Sequence, residues 1–181
     1  MKPLSFLLVF LVFNLSCLAQ QESQTQMLED AVRSLKAPSP IIYIDSALNY
    51  YGLVSEVSKR GRLNGYFDTT KVYLHLRKSE IRFLDKAFKK DSTFSWPANI
   101  FSNSIMMSLD SVHHYQLKFL KAQKEKRYFY FSRIIYFRDN SLAVFRLADM
   151  YGNSAGYDYL FFYQKIDNKW KHYMRVYMGA W

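Results

Sequence analysis

The tail of the chain reads YFYFSRIIYFR at 128–138, LAVFRLAD at 142–149, YDYLFFYQKI at 157–166 and KWKHYMRVY at 169–177. All four runs are rich in aromatic and β-branched residues, which fit a pleated, half-buried surface. They are separated by Asp139-Asn140-Ser141, by residues 150–156 and by Asp167-Asn168. Such residues tolerate tight-turn geometry or bond their own backbone. Connections this short join antiparallel neighbours, because a parallel crossover needs a dozen or more residues. The tail therefore predicts a four-stranded antiparallel meander.

Upstream of it the spacing becomes helical. Met27, Leu28, Ala31, Val32 and Leu35 recur every three or four residues between Ser23 and Lys36, with Glu29 and Asp30 early and Arg33 and Lys36 late. That is an amphipathic helix whose charges match its dipole. Ala37-Pro38-Ser39-Pro40 ends it, since proline disfavours helical geometry in its predecessor. Ile41 to Ile44 is β-branched and aromatic, and 45–59 reads as a second helix with Leu48, Tyr51 and Val54 or Leu53 inward. Gly61 and Gly65 punctuate a connection. Val72, Leu74 and Leu76 then alternate with Tyr73, His75 and Arg77, the period-two signature of a strand. Ser79 is placed to cap a helix reaching Lys90, with Ile81, Leu84 and Phe88 inward. Trp96-Pro97 opens an irregular segment. Asp110 is a candidate cap for a helix to Lys124, with Val112, Tyr115 or Gln116 and Phe119 on one face. The expected class is α+β, with N-terminal helices packed on one face of a C-terminal antiparallel meander of four or more strands. Residues 20–126 are then mainly helical with one strand near 72–76, and 127–181 form the meander.

Half of the 181 residues are hydrophobic and 18% are aromatic, which excludes intrinsic disorder. Residues 1–19 have the layout of a secretory leader: Met1-Lys2, an apolar run from Leu4 to Phe13, a short polar patch, then Ala19 before Gln20 and Gln21. That run is about 10–12 residues, short of the roughly 20 that span a hydrocarbon core. The expectation is export to the periplasm or beyond, leaving about 160 residues as one domain. Cys17 is the only cysteine. Cleavage after Ala19 would remove it, so that the mature chain has no thiol; the alternative is a lipoprotein acylated at Cys17. A lipobox normally carries Leu three positions before its cysteine, and here Asn14 stands there.

The formal charge is +10, or +9 without Lys2. Residues 59–90 hold ten Lys and Arg against Asp68, Glu80 and Asp85, and 118–138 hold seven against Glu125. Such stretches can meet anionic polysaccharide, an envelope surface or nucleic acid, and a solvated basic surface is the plainer account. Export weakens the case for nucleic acid.

Gly152-Asn153-Ser154-Ala155-Gly156 formally matches the nucleophile elbow G-x-S-x-G. That chemistry needs a strained strand-to-helix turn above a mostly parallel sheet. A strand pattern follows Gly156 instead, so a hairpin loop is the better account, and Ser154 is kept only as a weak nucleophile candidate for a hydrolase. An acid pair is the other hydrolase route, but none of the 15 acids sits in a motif. His113-His114, near Asp110, is the metal candidate; adjacent helical side chains diverge by about 100°, so the pair does not easily share one ion. No cofactor is implied. His172 is expected to pack with one hydrogen-bond partner on the face shared by Trp170 and Met174. If the sheet has a binding face, Tyr130, Tyr136, Tyr157, Tyr159 and Tyr163 are its candidates, because exposed aromatics beside cations stack on sugars and hold charge.

Phe131-Ser132-Arg133-Ile134-Ile135-Tyr136-Phe137, Gly152 to Gly156, Lys165-Ile166-Asp167-Asn168-Lys169-Trp170-Lys171 and Trp181 together resemble the tails of small exported, uncharacterised proteins of Bacteroides- and Flavobacterium-type bacteria. Weaker likeness lies around Trp96 and Phe101-Ser102-Asn103. The resemblance implies export and α+β architecture and brings no activity with it. Relatives carry Pro where Ile134 stands and cysteines in the glycine loop, so no thiol role transfers. The expected function is a non-enzymatic binding module of the cell envelope, with two alternatives. One is the hydrolase; the other is a small-ligand carrier with a cone-shaped sheet of the nuclear-transport-factor-2-like kind.

Overall fold

The computed structural model describes residues 21–48, 61–90, 94–112, 127–151 and 155–180. It is an α+β fold built on a mixed, mostly antiparallel sheet. The strands are β1 (Ile41–Ile44), β2 (Arg62–Phe67), β3 (Thr70–His75), β4 (Ser104–Met107), β5 (Arg127–Phe131), β6 (Ile135–Phe137), β7 (Leu142–Tyr151), β8 (Ala155–Ile166) and β9 (Lys169–Ala180). They lie in the order β3-β2-β9-β8-β7-β5-β1-β4, with β6 also on β7. The described helical residues are α1 (21–34), α2 (Lys78–Lys89) and α3 (109–112). Among these residues no helix is long and apolar enough to cross a membrane.

The expected meander is present as β7, β8 and β9, and it is the centre of a larger sheet. Asp167 and Asn168 both take positive φ, the two-residue turn whose twist matches a hairpin, and Ile166 pairs Lys169 across it. The run expected as one strand from Tyr128 to Arg138 is divided. Phe131 pairs Leu147 and Ile135 pairs Val144, so four steps on one strand face three on the other. Ser132 fills this bulge: its N–H donates to the Arg146 carbonyl at 2.9 Å, and its Oγ accepts from the Arg146 N–H at 2.8 Å.

Other expectations are corrected. The stretch 20–126, expected to hold one strand, holds four among the described residues. Two of them make the sheet mixed, since β1 runs parallel to both β4 and β5. The segment around Gly65, expected as a connection, is β2. An added Cβ at Gly65 would lie 2.8 Å from the Arg175 carbonyl oxygen and 2.9 Å from Met174 Cε, so glycine here marks a close backbone approach to β9. Asp45 to Leu48 is not helical; it is tied to the segment 94–96 by Ala47 N–H on the Phe94 carbonyl and Trp96 N–H on the Asp45 carbonyl. The remainder of that expected helix lies outside the described residues. α2 begins two residues earlier than a Ser79 cap implies, at Lys78 with Arg77 as the cap, where Glu80 reaches back to accept from the Arg77 N–H at 2.7 Å. α3 is capped by Ser108, whose Oγ accepts from the Ser111 N–H, rather than by Asp110.

Helices cover both faces instead of one. On the first face Met27, Leu28, Ala31 and Val32 of α1 pack with Phe129, Phe131, Phe145, Phe161 and Tyr163. On the second, Leu84 and Phe88 of α2 pack with Ile135, Phe137, Val144, Phe162 and Met174. Alternation along β7 sends Val144 one way and Phe145 the other, which is how one strand serves two cores. Arg127 secures the far end of α1: it meets Asp149 through two bonds of 2.7 Å and donates to the carbonyls of Leu35 and Lys36. Arg138, in the β6–β7 turn, pairs with Glu80 at 2.6 Å and holds that carboxyl below its usual range.

Candidate functional site

Beyond the edge of α1, the first face of the sheet carries a cluster of tyrosines. Tyr157 and Tyr159 project from β8, Tyr151 from β7 and Tyr177 from β9. Ring centroids are 6.0 Å apart for Tyr151–Tyr157, 6.4 Å for Tyr157–Tyr159, 6.3 Å for Tyr157–Tyr177 and 5.8 Å for Tyr159–Tyr177. Tyr157 is 43% exposed and Tyr177 52%, so the cluster presents ring faces to solvent. The register explains the grouping: Tyr157 stands opposite Asp149, and Tyr159 stands between Leu147 and Tyr177.

Cations border the rings. The Arg175 guanidinium lies 5.2 Å from the Tyr159 ring and that of Arg127 lies 5.2 Å from Tyr151. Asp149 accepts from the Tyr151 hydroxyl at 3.3 Å and from Arg127. The Asp149 hydrogen bonds raise Arg127 above its ordinary value, and burial raises the phenols of Tyr151 and Tyr159. These phenols stay protonated at neutral pH and serve as hydrogen-bond donors. The surface offers stacking area, neutral donors and fixed positive charge, a combination suited to holding a ligand.

The five tyrosines singled out from sequence do not share one surface. Tyr157 and Tyr159 lie in the cluster. Tyr163 has the same facing but lies under α1, buried, donating its hydroxyl to the Met27 carbonyl at 2.9 Å. Tyr136 is half-buried against Trp170 at 5.4 Å. Tyr130 faces the opposite side, its hydroxyl 3.3 Å from Ser46 Oγ. Ser154, His113, His114 and Cys17 lie outside the described residues. Among the described residues no group of three or more His, Cys, Asp or Glu is placed to hold a metal. Sequence reasoning missed Tyr151, Tyr177 and Arg175. The Asp167-Asn168 turn alone would set Val176 opposite Tyr159. A bulge in β9 opposite Phe162/Tyr163 brings Tyr177 there instead.

The same bulge separates His172 from Met174. Met174 enters the α2 core, while His172 lies with Phe161 at 5.6 Å, Tyr163 at 5.5 Å and Phe67 at 5.5 Å. Its Nε2 is buried with no hydrogen-bond partner among the described residues. Burial holds the imidazole below its ordinary 6.5, with Asp30, Arg175 and Asp68 as the charges that act on it and a backbone hydrogen bond at Met174 opposing. The unfolded chain therefore binds this proton more tightly than the folded one. The stability it protects is complete above the unfolded value and is lost as pH falls through the folded value. Urea unfolding from about pH 7.5 down to 5 should show this decline, and His172→Gln should remove that part of the slope. An unchanged slope in the variant would show that His172 does not titrate on unfolding.

A second concavity of about 400 Å³ lies between α1 and the 94–100 segment, lined by Gln21, Gln24, Thr25, Phe94, Trp96 and Pro97 among others. Its described lining consists of amide, hydroxyl and apolar side chains.

Comparison of the chain with protein-family models, with curated proteins and with solved structures finds no match.

Proposed function

We propose that this chain is an exported, non-enzymatic binding module that holds anionic polysaccharide at the cell envelope against the Tyr151–Tyr157–Tyr159–Tyr177 surface. The observation that carries the proposal is the exposed ring network with Arg175 at its border. Sugar rings present C–H faces that stack on tyrosine, their hydroxyls accept from the neutral phenols, and a carboxylate or sulfate pairs with guanidinium. The leader-like residues 1–19 support an envelope location. The carrier alternative fares less well, because α1 side chains occupy the space above Phe145 and Phe161 that an internal cavity would need.

The test is affinity electrophoresis through gels holding polygalacturonate, a sulfated glycan or neutral dextran, with protein recovered from its native envelope. The anionic gels should retard the protein and dextran should not. Tyr157→Ala with Tyr177→Ala should weaken binding at least tenfold, about 1.4 kcal/mol, with an unchanged melting temperature. Equal mobility in all gels would reject the proposal. Intact mass of the same sample separates cleavage after Ala19 from lipid on Cys17, and a mass retaining residues 1–19 unmodified would reject export.

A further inference from the structure

Resting on that reading, we propose that the β2–β3 hairpin is a second subsite of the same surface, so that the ligand is a linear acidic polysaccharide lying across the strands. The hairpin is joined to β9 where Tyr66 stands opposite Arg175 on one side and Lys71 on the other. Arg175, Tyr66 and Lys71 thus form one cross-strand row on the face that carries Tyr159 and Tyr177. Tyr66 is 48% exposed and Tyr73 44%. The Arg62 guanidinium sits 3.6 Å over the Tyr73 ring, and Lys71 Nζ lies 5.9 Å from it.

Aromatic faces and cations consequently alternate from β8 through β9 and β2 to β3. With neighbouring strands about 4.8 Å apart, this row is about 14 Å long, the reach of roughly three pyranose residues. Charge complementarity selects the occupant. The row has two cations, Arg175 on β9 and Lys71 on β3, with Tyr66 between them and Tyr159 beside Arg175, an interleaving that matches a polymer with one carboxylate per sugar. Gly65 permits the arrangement by letting β2 approach the β9 backbone closely.

Isothermal titration of the full chain with uronic-acid di-, tetra- and hexasaccharides tests this. Affinity should rise at least tenfold from disaccharide to hexasaccharide. Tyr73→Ala with Lys71→Ala should erase that gain and leave disaccharide affinity unchanged; Lys71→Glu alone, at an exposed position, should act in the same direction if the double variant misfolds. A hexasaccharide gain that survives in both variants, or no gain in the native chain that still binds disaccharide, would overturn the second subsite while leaving the tyrosine cluster in place. No binding at any length would overturn both. Tighter binding of single-stranded oligonucleotide than of hexasaccharide would overturn the assignment to polysaccharide.

Discussion

Arg127→Met is expected to destabilise the protein by about 3–5 kcal/mol, the usual cost of breaking a buried ion pair from one side. Asp149 is 2% exposed and receives both Nε and Nη2 of Arg127 at 2.7 Å. Without the guanidinium its carboxylate is left in a site that water does not reach. The substitution also strips partners from the carbonyls of Leu35 and Lys36, which lie at the end of α1 where no intrahelical N–H is available. Equilibrium unfolding in urea should show a lower midpoint at an unchanged slope. Adding Asp149→Leu should recover much of the loss, because the orphaned charge is then gone, and the shortfall reports the helix-end carbonyls. A cost below about 1 kcal/mol would place the pair with ordinary surface bridges and refute the anchoring role.

Phe161→Ala should cost a similar amount, about 3–5 kcal/mol, for a different reason. The ring is fully buried, stacked on Phe145 at 5.7 Å and in edge contact with Tyr159 at 6.1 Å. Its removal leaves a void between α1 and the sheet that these rigid neighbours cannot close. His172 supplies an independent readout, since Phe161 is one of the rings that exclude water from it. In the variant the imidazole should titrate closer to its ordinary value, followed by its ring protons in NMR. If stability and titration both stay as in the native chain, Phe161 does not seal that site.

Where structure depends on local spacing, it was legible in the chain. The apolar stripe of Met27, Leu28, Ala31 and Val32 marks α1, that of Leu84 and Phe88 marks α2, and Asp167-Asn168 marks the last hairpin. What depends on distant partners was not. Ile41 to Ile44 has strand chemistry, but its neighbours Ser104–Met107 and Phe129 come about 60 and 86 residues later, and nothing in four residues specifies a parallel insertion between them. Gly65 looked like punctuation because its reason, the Arg175 carbonyl, lies on another strand. For the site, Tyr157 and Tyr159 were visible as an alternating aromatic run. Tyr163 has the same period and was counted with them, because the sequence does not show how far α1 extends over the face. Tyr177 is hidden by a bulge that no residue type announces.

The placement of α1 also bears on how the polypeptide is made. Its stripe is buried chiefly against residues of late strands, Phe129, Phe131, Phe145, Phe161 and Tyr163, and the bond from Tyr163 to Met27 closes a loop of 136 residues. A nascent chain emerging from the ribosome therefore lacks most of the surface that buries α1 until β5, β7 and β8 have been synthesised. That delay is set by topology, and any step that needs the chain extended falls within it.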